Sequence, residues 1–180
     1  MPPDHAARVY DLDGTLVRLA VDWDAAAADV VSVFREAGID ADGADLWDLL
    51  DRAPEHGLDG AVEAAISSHE RDGAERSRRL AAADDLAELD VPVAVCSLNC
   101  EAACRIALEK HGLAEDVDAV IGRDSVGAHK PDPEPLLAAA RALSVPPEET
   151  LFVGDSERDA RTAERAGTRF EYVGDGPTDY

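Results

Sequence analysis

Two aspartates, Asp11 and Asp13, stand two positions apart in the run Val9-Tyr10-Asp11-Leu12-Asp13-Gly14-Thr15-Leu16-Val17. The β-prone residues Arg8-Val9-Tyr10 deliver them to a strand end, where side chains alternate with period two, so both carboxylates face one pocket if the extended geometry persists. Gly14 lets the chain turn sharply and brings bare backbone N–H groups toward whatever binds there. Carboxylates beside exposed amides suit a divalent cation and a phosphoryl group, whereas a solvated Asp-Gly turn is the plainer alternative for the motif alone. Other chemistry-bearing residues recur after apolar runs: Ser97-Leu98-Asn99 follows Val93–Cys96, and Gly154-Asp155-Ser156 follows Thr150-Leu151-Phe152-Val153, with Asp159 one helical turn beyond Asp155. Capping of a helix is the structural alternative for Asp155 and Asp159.

Lys130, in His129-Lys130-Pro131-Asp132-Pro133, is one of only two lysines, against 15 arginines. A compact ammonium approaches a carboxylate and a phosphoryl oxygen in a space that a broad guanidinium does not fit. Cys96, Cys100 and Cys104 match no zinc or iron–sulfur spacing and read as small buried residues. His56 and His69 read as surface or rim histidines.

The elements that must position these residues follow from the apolar pattern. From about residue 81 short apolar runs (91–96, 117–121, 150–153, 169–173) alternate with helical stretches (102–111, 134–143, 158–166), and a further helix is expected near 80–89. That alternation predicts an α/β fold, a three-layer Rossmann-like parallel sheet covered by helices on both faces. Ligands of such sheets sit beyond the carboxyl ends of the strands, where Asp11, Ser97 and Asp155 fall. Residues 18–79 are helical in pattern instead. Asp22 or Asp24 caps a first helix ended by Gly38, Leu46, Leu49 and Leu50 mark a second stopped before Pro54, and Val62, Ala65 and Ile66 mark a third running toward Gly73. Residues 1–17 and 80–180 are therefore expected to form the core, with 18–79 a small α-helical insertion after the first strand.

Composition bounds the rest. A chain of 180 residues with 46% apolar residues holds one core plus a small insertion. The start Met-Pro-Pro-Asp-His has no signal-peptide pattern, no apolar run is long enough for a membrane span, and three cysteines give no disulfide framework, which together predict a cytoplasmic protein. The 39 acidic and 17 basic residues leave a net charge of −22, which repels nucleic acid and anionic membranes and argues against either as a partner. Abundant Asp and Glu with scarce Lys resembles cytosolic proteins of a halophilic archaeon, where molar salt screens self-repulsion.

Taken together, the motifs resemble the haloacid dehalogenase (HAD) superfamily, in order along the chain. Asp11-Leu12-Asp13-Gly14-Thr15 is similar to its first motif, Ser97 to the second, Lys130 before the proline-rich loop to the third, and Gly154-Asp155-Ser156-Glu157-Arg158-Asp159 to the fourth. The resemblance implies the HAD fold with a helical cap and a phosphatase like those acting on phosphoglycolate. It makes Asp11 the nucleophile that forms an aspartyl-phosphate and Asp13 the acid/base. It places Mg²⁺ on Asp11, the Asp13 carbonyl and Asp155, with Asp159 in direct or water-mediated contact. Gly14, Thr15, Ser97, Leu98, Asn99 and Lys130 would surround the phosphate of a small phosphorylated metabolite. Relatives that cleave carbon–halogen bonds lack the second aspartate, and phosphonatases lack it too and use a lysine from the insertion, where this chain has none. A sugar-phosphate mutase and a non-catalytic acidic Mg-binding domain are the alternatives. Asn99 lies two residues after Ser97, where many relatives have asparagine at the next position.

Overall fold

Strand β1, Ala7–Tyr10, is bordered on both sides by parallel partners, which places Asp11 at the middle of the sheet. In a computed structural model, which describes residues 4–174, the strand order is β5-β4-β1-β6-β7, with β4 at Val93–Cys96, β5 at Ala119–Ile121, β6 at Thr150–Gly154 and β7 at Arg169–Tyr172. All four pairings are parallel. The chain runs outward from β1 through β4 to β5, then returns to the other side of β1 for β6 and β7. The order thus reverses at β1, and a crevice opens beyond the carboxyl ends of β4, β1 and β6.

Period-two alternation divides the strand side chains between two apolar layers. Tyr10, Val93, Val95, Leu151 and Val153 face α4 (Glu101–Lys110) and bury Ala103, Cys104, Ala107 and Leu108. Val9, Ala94, Cys96 and Phe152 face α5 (Glu134–Ala142) and α6 (Glu157–Ala166), burying Leu136, Ala139 and Ala163. All three cysteines are buried and free, as small apolar residues would be.

Residues between β2 (Val17–Arg18) and β3 (Arg78–Arg79) build a third apolar cluster of their own. Helix α1 (Trp23–Glu36) starts where Asp22 accepts a hydrogen bond from Ala25 N, and α2 (Leu46–Arg52) starts at an equivalent cap by Asp45. With α3 (Asp59–Glu75) they enclose Phe34, Leu49, Val62 and Ile66. Strands β2 and β3 pair antiparallel, Val17 with Arg79 and Arg18 with Arg78, so the chain leaves and re-enters the sheet region side by side.

Several element boundaries differ from expectation for local reasons. Helix α3 runs through Gly73 instead of stopping there. A Cβ on Gly73 would lie 2.5 Å from Val21 Cγ2, so that glycine serves close packing against the segment after β2, where Ala20 N donates to Gly73 O. The helix expected near 80–89 is 3₁₀ over Ala81–Glu88. Strand β4 begins at Val93 and β5 at Ala119, and just before the pairing the Asp118 carboxylate accepts from Val93 N while Asp118 N donates to Val93 O. Among the described residues no helix is long and apolar enough to cross a membrane.

Candidate active site

Lys130 is the point on which the buried charges converge. Its ammonium donates to Asp11 Oδ1 at 2.9 Å, to Asp159 Oδ1 at 2.6 Å and to the Cys96 carbonyl at 3.2 Å, so its three N–H groups meet three acceptors. The side chain is 3% exposed. Burial alone would lower its pKa, but the charges of Asp11 and Asp159 outweigh that and raise it, so the group stays an ammonium.

Asp11, just past β1, is also buried. Burial and the neighbouring Asp159 and Asp155 charges push its carboxyl well above the usual carboxylate range, with Lys130 pulling the other way. Asp155, past β6, approaches from the opposite side. A Cβ on Gly14 would lie 2.1 Å from Asp155 Oδ2, and Gly14 has φ of 88°, so both space and backbone conformation require glycine there. One carboxylate oxygen each from Asp11, Asp155 and Asp159 lies within 4.8 Å of the others. Three buried carboxylates, one of them destabilised as an anion by the other two, form an all-oxygen set that fits a hard divalent cation. Both oxygens of Asp159 are engaged: Oδ1 takes Lys130, and Oδ2 takes Asp155 N and Ser156 Oγ.

Asp13 is half-buried beside them on the wall of a cavity of about 720 Å³. Its Oδ1 accepts from Leu19 N at 3.0 Å. Burial raises its pKa, and the Leu19 bond and the Arg18 charge only partly offset this, the direction a proton donor needs. The cavity is floored by Asp11, Lys130 and Asp155 and walled on the far side by Trp23 and Trp47 from α1 and α2. The two indoles are 5.6 Å apart at 57°, and the Arg158 guanidinium lies 6.0 Å over the Trp47 ring.

The residues expected to surround a phosphate divide into two groups. Asn99, Leu98 and Lys130 line the cavity. Gly14, Thr15 and Ser97 are turned elsewhere. The amide of Gly14, expected to be bare, donates to Val17 O at 2.7 Å, and Thr15 N donates to Leu12 O. Thr15 Oγ1 points at Asp11 Oδ2 from a fully buried position. Ser97 Oγ donates to Asn99 Oδ1 and accepts from Asn99 N. The tight turn after β1 thus consumes its own amides, and its glycine makes room for Asp155.

Sequence reasoning missed Trp23 and Trp47, although they are the only two tryptophans in a chain with 4% aromatic residues, a usable signal. It also missed Arg123, Glu63 and Glu70, charges with no motif around them, whose pairing spans 53 to 60 residues. His69 bonds Asp29 and His56 packs edge-on to Phe34, both away from the cavity.

Residues 67–179 match the family model described as haloacid dehalogenase-like hydrolase. The phosphoglycolate phosphatase of Cereibacter sphaeroides is 46% identical over 84 residues, 47% of this chain and 38% of that protein. That of Rhodospirillum rubrum is 40% identical over 82 residues, 46% and 34% of the two chains. The matched stretch therefore spans little more than a third of these relatives. Among solved structures, a HAD-superfamily hydrolase from Geobacter sulfurreducens superposes with a TM-score of 0.63 at 26% identity over 92% of this chain and 88% of the other. CbbY from Rhodobacter sphaeroides, solved in complex with phosphate, superposes with a TM-score of 0.68 at 21% identity over 97% and 87%.

Proposed function

The chain belongs to the haloacid dehalogenase-like hydrolases, and from that premise we propose that it is a Mg²⁺-dependent phosphatase of small phosphomonoesters, working through an aspartyl-phosphate on Asp11. The observation that carries this reading is the convergence of Asp11, Lys130 and Asp155 on the floor of one cavity, with Asp13 beside them. Asp11, Asp155 and the Asp13 carbonyl would hold the ion, with Asp159 behind them, and the ion would neutralise charge on the phosphoryl oxygens. The helices of 18–79 act as a cap, a role supported by Trp23 and Trp47 on the cavity wall.

In the first half-reaction a carboxylate oxygen of Asp11 attacks phosphorus as the bond to the ester oxygen breaks, and Asp13 gives its proton to that departing oxygen. In the second, Asp13 takes a proton from water. The resulting hydroxide attacks phosphorus, the bond to Asp11 breaks, and inorganic phosphate leaves. Lys130 fixes the Asp11 carboxylate through both halves and keeps a positive charge next to it. The indole wall keeps bulk water off the acyl-phosphate. Among relatives, the phosphoglycolate phosphatases support a small phosphorylated acid as the substrate class.

The test is hydrolysis of p-nitrophenyl phosphate and of a panel of phosphorylated metabolites, lost on chelation and restored by Mg²⁺. Asp155→Asn is expected to weaken Mg²⁺ activation and cut turnover by at least ~100-fold. An Asp155→Asn protein with unchanged rate and unchanged Mg²⁺ dependence would remove Asp155 from the site, and absence of hydrolysis across the panel would reject the phosphatase.

The −22 charge supports a high-salt cytoplasm as the working environment. Raising KCl from roughly 0.1 M, where the Debye length is ~10 Å, to 1 M, where it is ~3 Å, is expected to raise both melting temperature and activity. A melting temperature that stays flat or falls over this range counts against that environment.

A further inference from the structure

We infer that Glu70 and Arg123 are positioning residues for the phosphoryl side of the site: they hold loop 97–100, which carries Leu98 and Asn99 onto the cavity wall. The inference rests on the reading above that this cavity takes a phosphoryl group. Its consequence is that α3, outside the sheet, helps set the shape of a loop that follows β4.

The geometry is closed on all sides. Arg123 follows β5 and its side chain is 2% exposed, while Glu70, on α3, is fully buried. Arg123 Nη1 donates to Glu70 Oε1 at 2.6 Å and to the Leu98 carbonyl at 2.8 Å. Nη2 donates to Glu70 Oε2 at 3.0 Å and to Glu63 Oε1 at 2.6 Å, and Nε donates to Glu63 Oε2 at 3.0 Å. All five guanidinium N–H groups are thereby satisfied. Burial would lower the Arg123 pKa, but the bonds to Glu63 and Glu70 outweigh that and raise it.

Glu70 then reaches the loop itself. Its Oε2 accepts from Cys100 N at 2.9 Å and its Oε1 from Asn99 Nδ2 at 3.3 Å. The Arg123 amide donates to Asn99 O at 2.8 Å. One carboxylate and one arginine therefore bind Leu98, Asn99 and Cys100, three of the four loop residues, and Asn99 in turn holds Ser97. Asn99, displaced by one position from where many relatives carry it, spends its amide on Ser97 and Glu70. In a glutamine at this position the NH₂ faces either Asn99 Nδ2 or Cys100 N, and an Arg123 nitrogen in both cases, leaving a buried donor of the loop unpaired.

Glu63 supplies the control, because its bonds run to the same guanidinium and to Ser67. In Glu70→Gln the KM for p-nitrophenyl phosphate and the inhibition constant for inorganic phosphate are expected to rise about 10-fold, the effect of one unsatisfied buried donor on the loop. Amide exchange at Asn99 and Cys100, followed by hydrogen–deuterium exchange, is expected to quicken alongside. Glu63→Gln is expected to lower the melting temperature while leaving both constants and the exchange within twofold of wild type. Should Glu70→Gln fail to fold, Arg123→Lys, which keeps the charge but cannot reach Glu70 and Leu98 together, carries the same expectations. The inference is overturned if the Glu70 or Arg123 variant lowers the melting temperature alone, or if Glu63→Gln shifts the constants equally. A wild-type protein without phosphatase activity sinks the functional reading, and the exchange of Asn99 and Cys100 still decides this one.

Discussion

Asp11→Asn is expected to lose turnover by at least ~1,000-fold with every phosphomonoester and to form no phosphorylated protein, because in the mechanism proposed above the attacking carboxylate becomes a non-nucleophilic amide. Its fold should survive. The amide oxygen still accepts from Lys130 Nζ, and a neutral group replaces a buried carboxyl that its surroundings already push above its usual range. Intact mass after mixing with substrate reads the covalent step directly.

Asp13→Ala supplies the contrast on the same assay. A nitrophenolate leaves without a proton, so the first half-reaction continues, whereas breakdown of the aspartyl-phosphate lacks its base. A burst near one equivalent of nitrophenol followed by a slow steady state is the expected trace, with no burst from an alkyl phosphate. Wild-type turnover of both esters by Asp13→Ala, or a phosphorylated Asp11→Asn protein, would dismantle the mechanism.

Lys130 carries the second large effect, and both of its substitutions are informative. Lys130→Ala leaves Asp11 and Asp159 buried without their cation, and breaking such a pair costs about 3–5 kcal/mol. Lys130→Arg keeps the charge but must fit a planar fork where one nitrogen now meets three converging acceptors, and overpacking of that kind costs about 1–3 kcal/mol. Turnover is expected to fall at least ~100-fold in both, with the alanine variant also melting lower. An arginine variant of near-normal activity would show that charge, and not the shape of the ammonium, is what the position supplies.

Much of this site was legible in the chain because its residues sit at strand ends, where periodicity and position coincide. Asp11 and Asp155 could be placed on one crevice from the apolar runs before them, and Lys130 stood out in a chain that otherwise uses arginine. What escaped reading depends on contacts distant in sequence. Arg123 and Glu70 lie 53 residues apart and look like ordinary surface charges until α3 packs on α4 and brings Glu70 to the loop after β4. Strands β2 and β3, two residues each, are too short to carry any alternation. Gly73 carries a helix-ending residue type but serves a close approach. The sharp turn expected at Gly14 is there, but its amide is spent on Val17 O and its missing Cβ makes room for Asp155, which only the position of Asp155 reveals.

The two-rung ladder of β2 and β3 makes the intervening helices exchangeable in principle, like a cassette between fixed clips. Val17 opposite Arg79 and Arg18 opposite Arg78 bring both splice points together whatever lies between them. Doubling the length of what is spliced in adds only about 0.6 kcal/mol of closure entropy, so size is a weak constraint on a graft. Chemistry is the strong one. Any transplanted segment must bring carboxylates to the places of Glu63 and Glu70, because without both it abandons Arg123 as a buried, unpaired cation beneath the loop it supports.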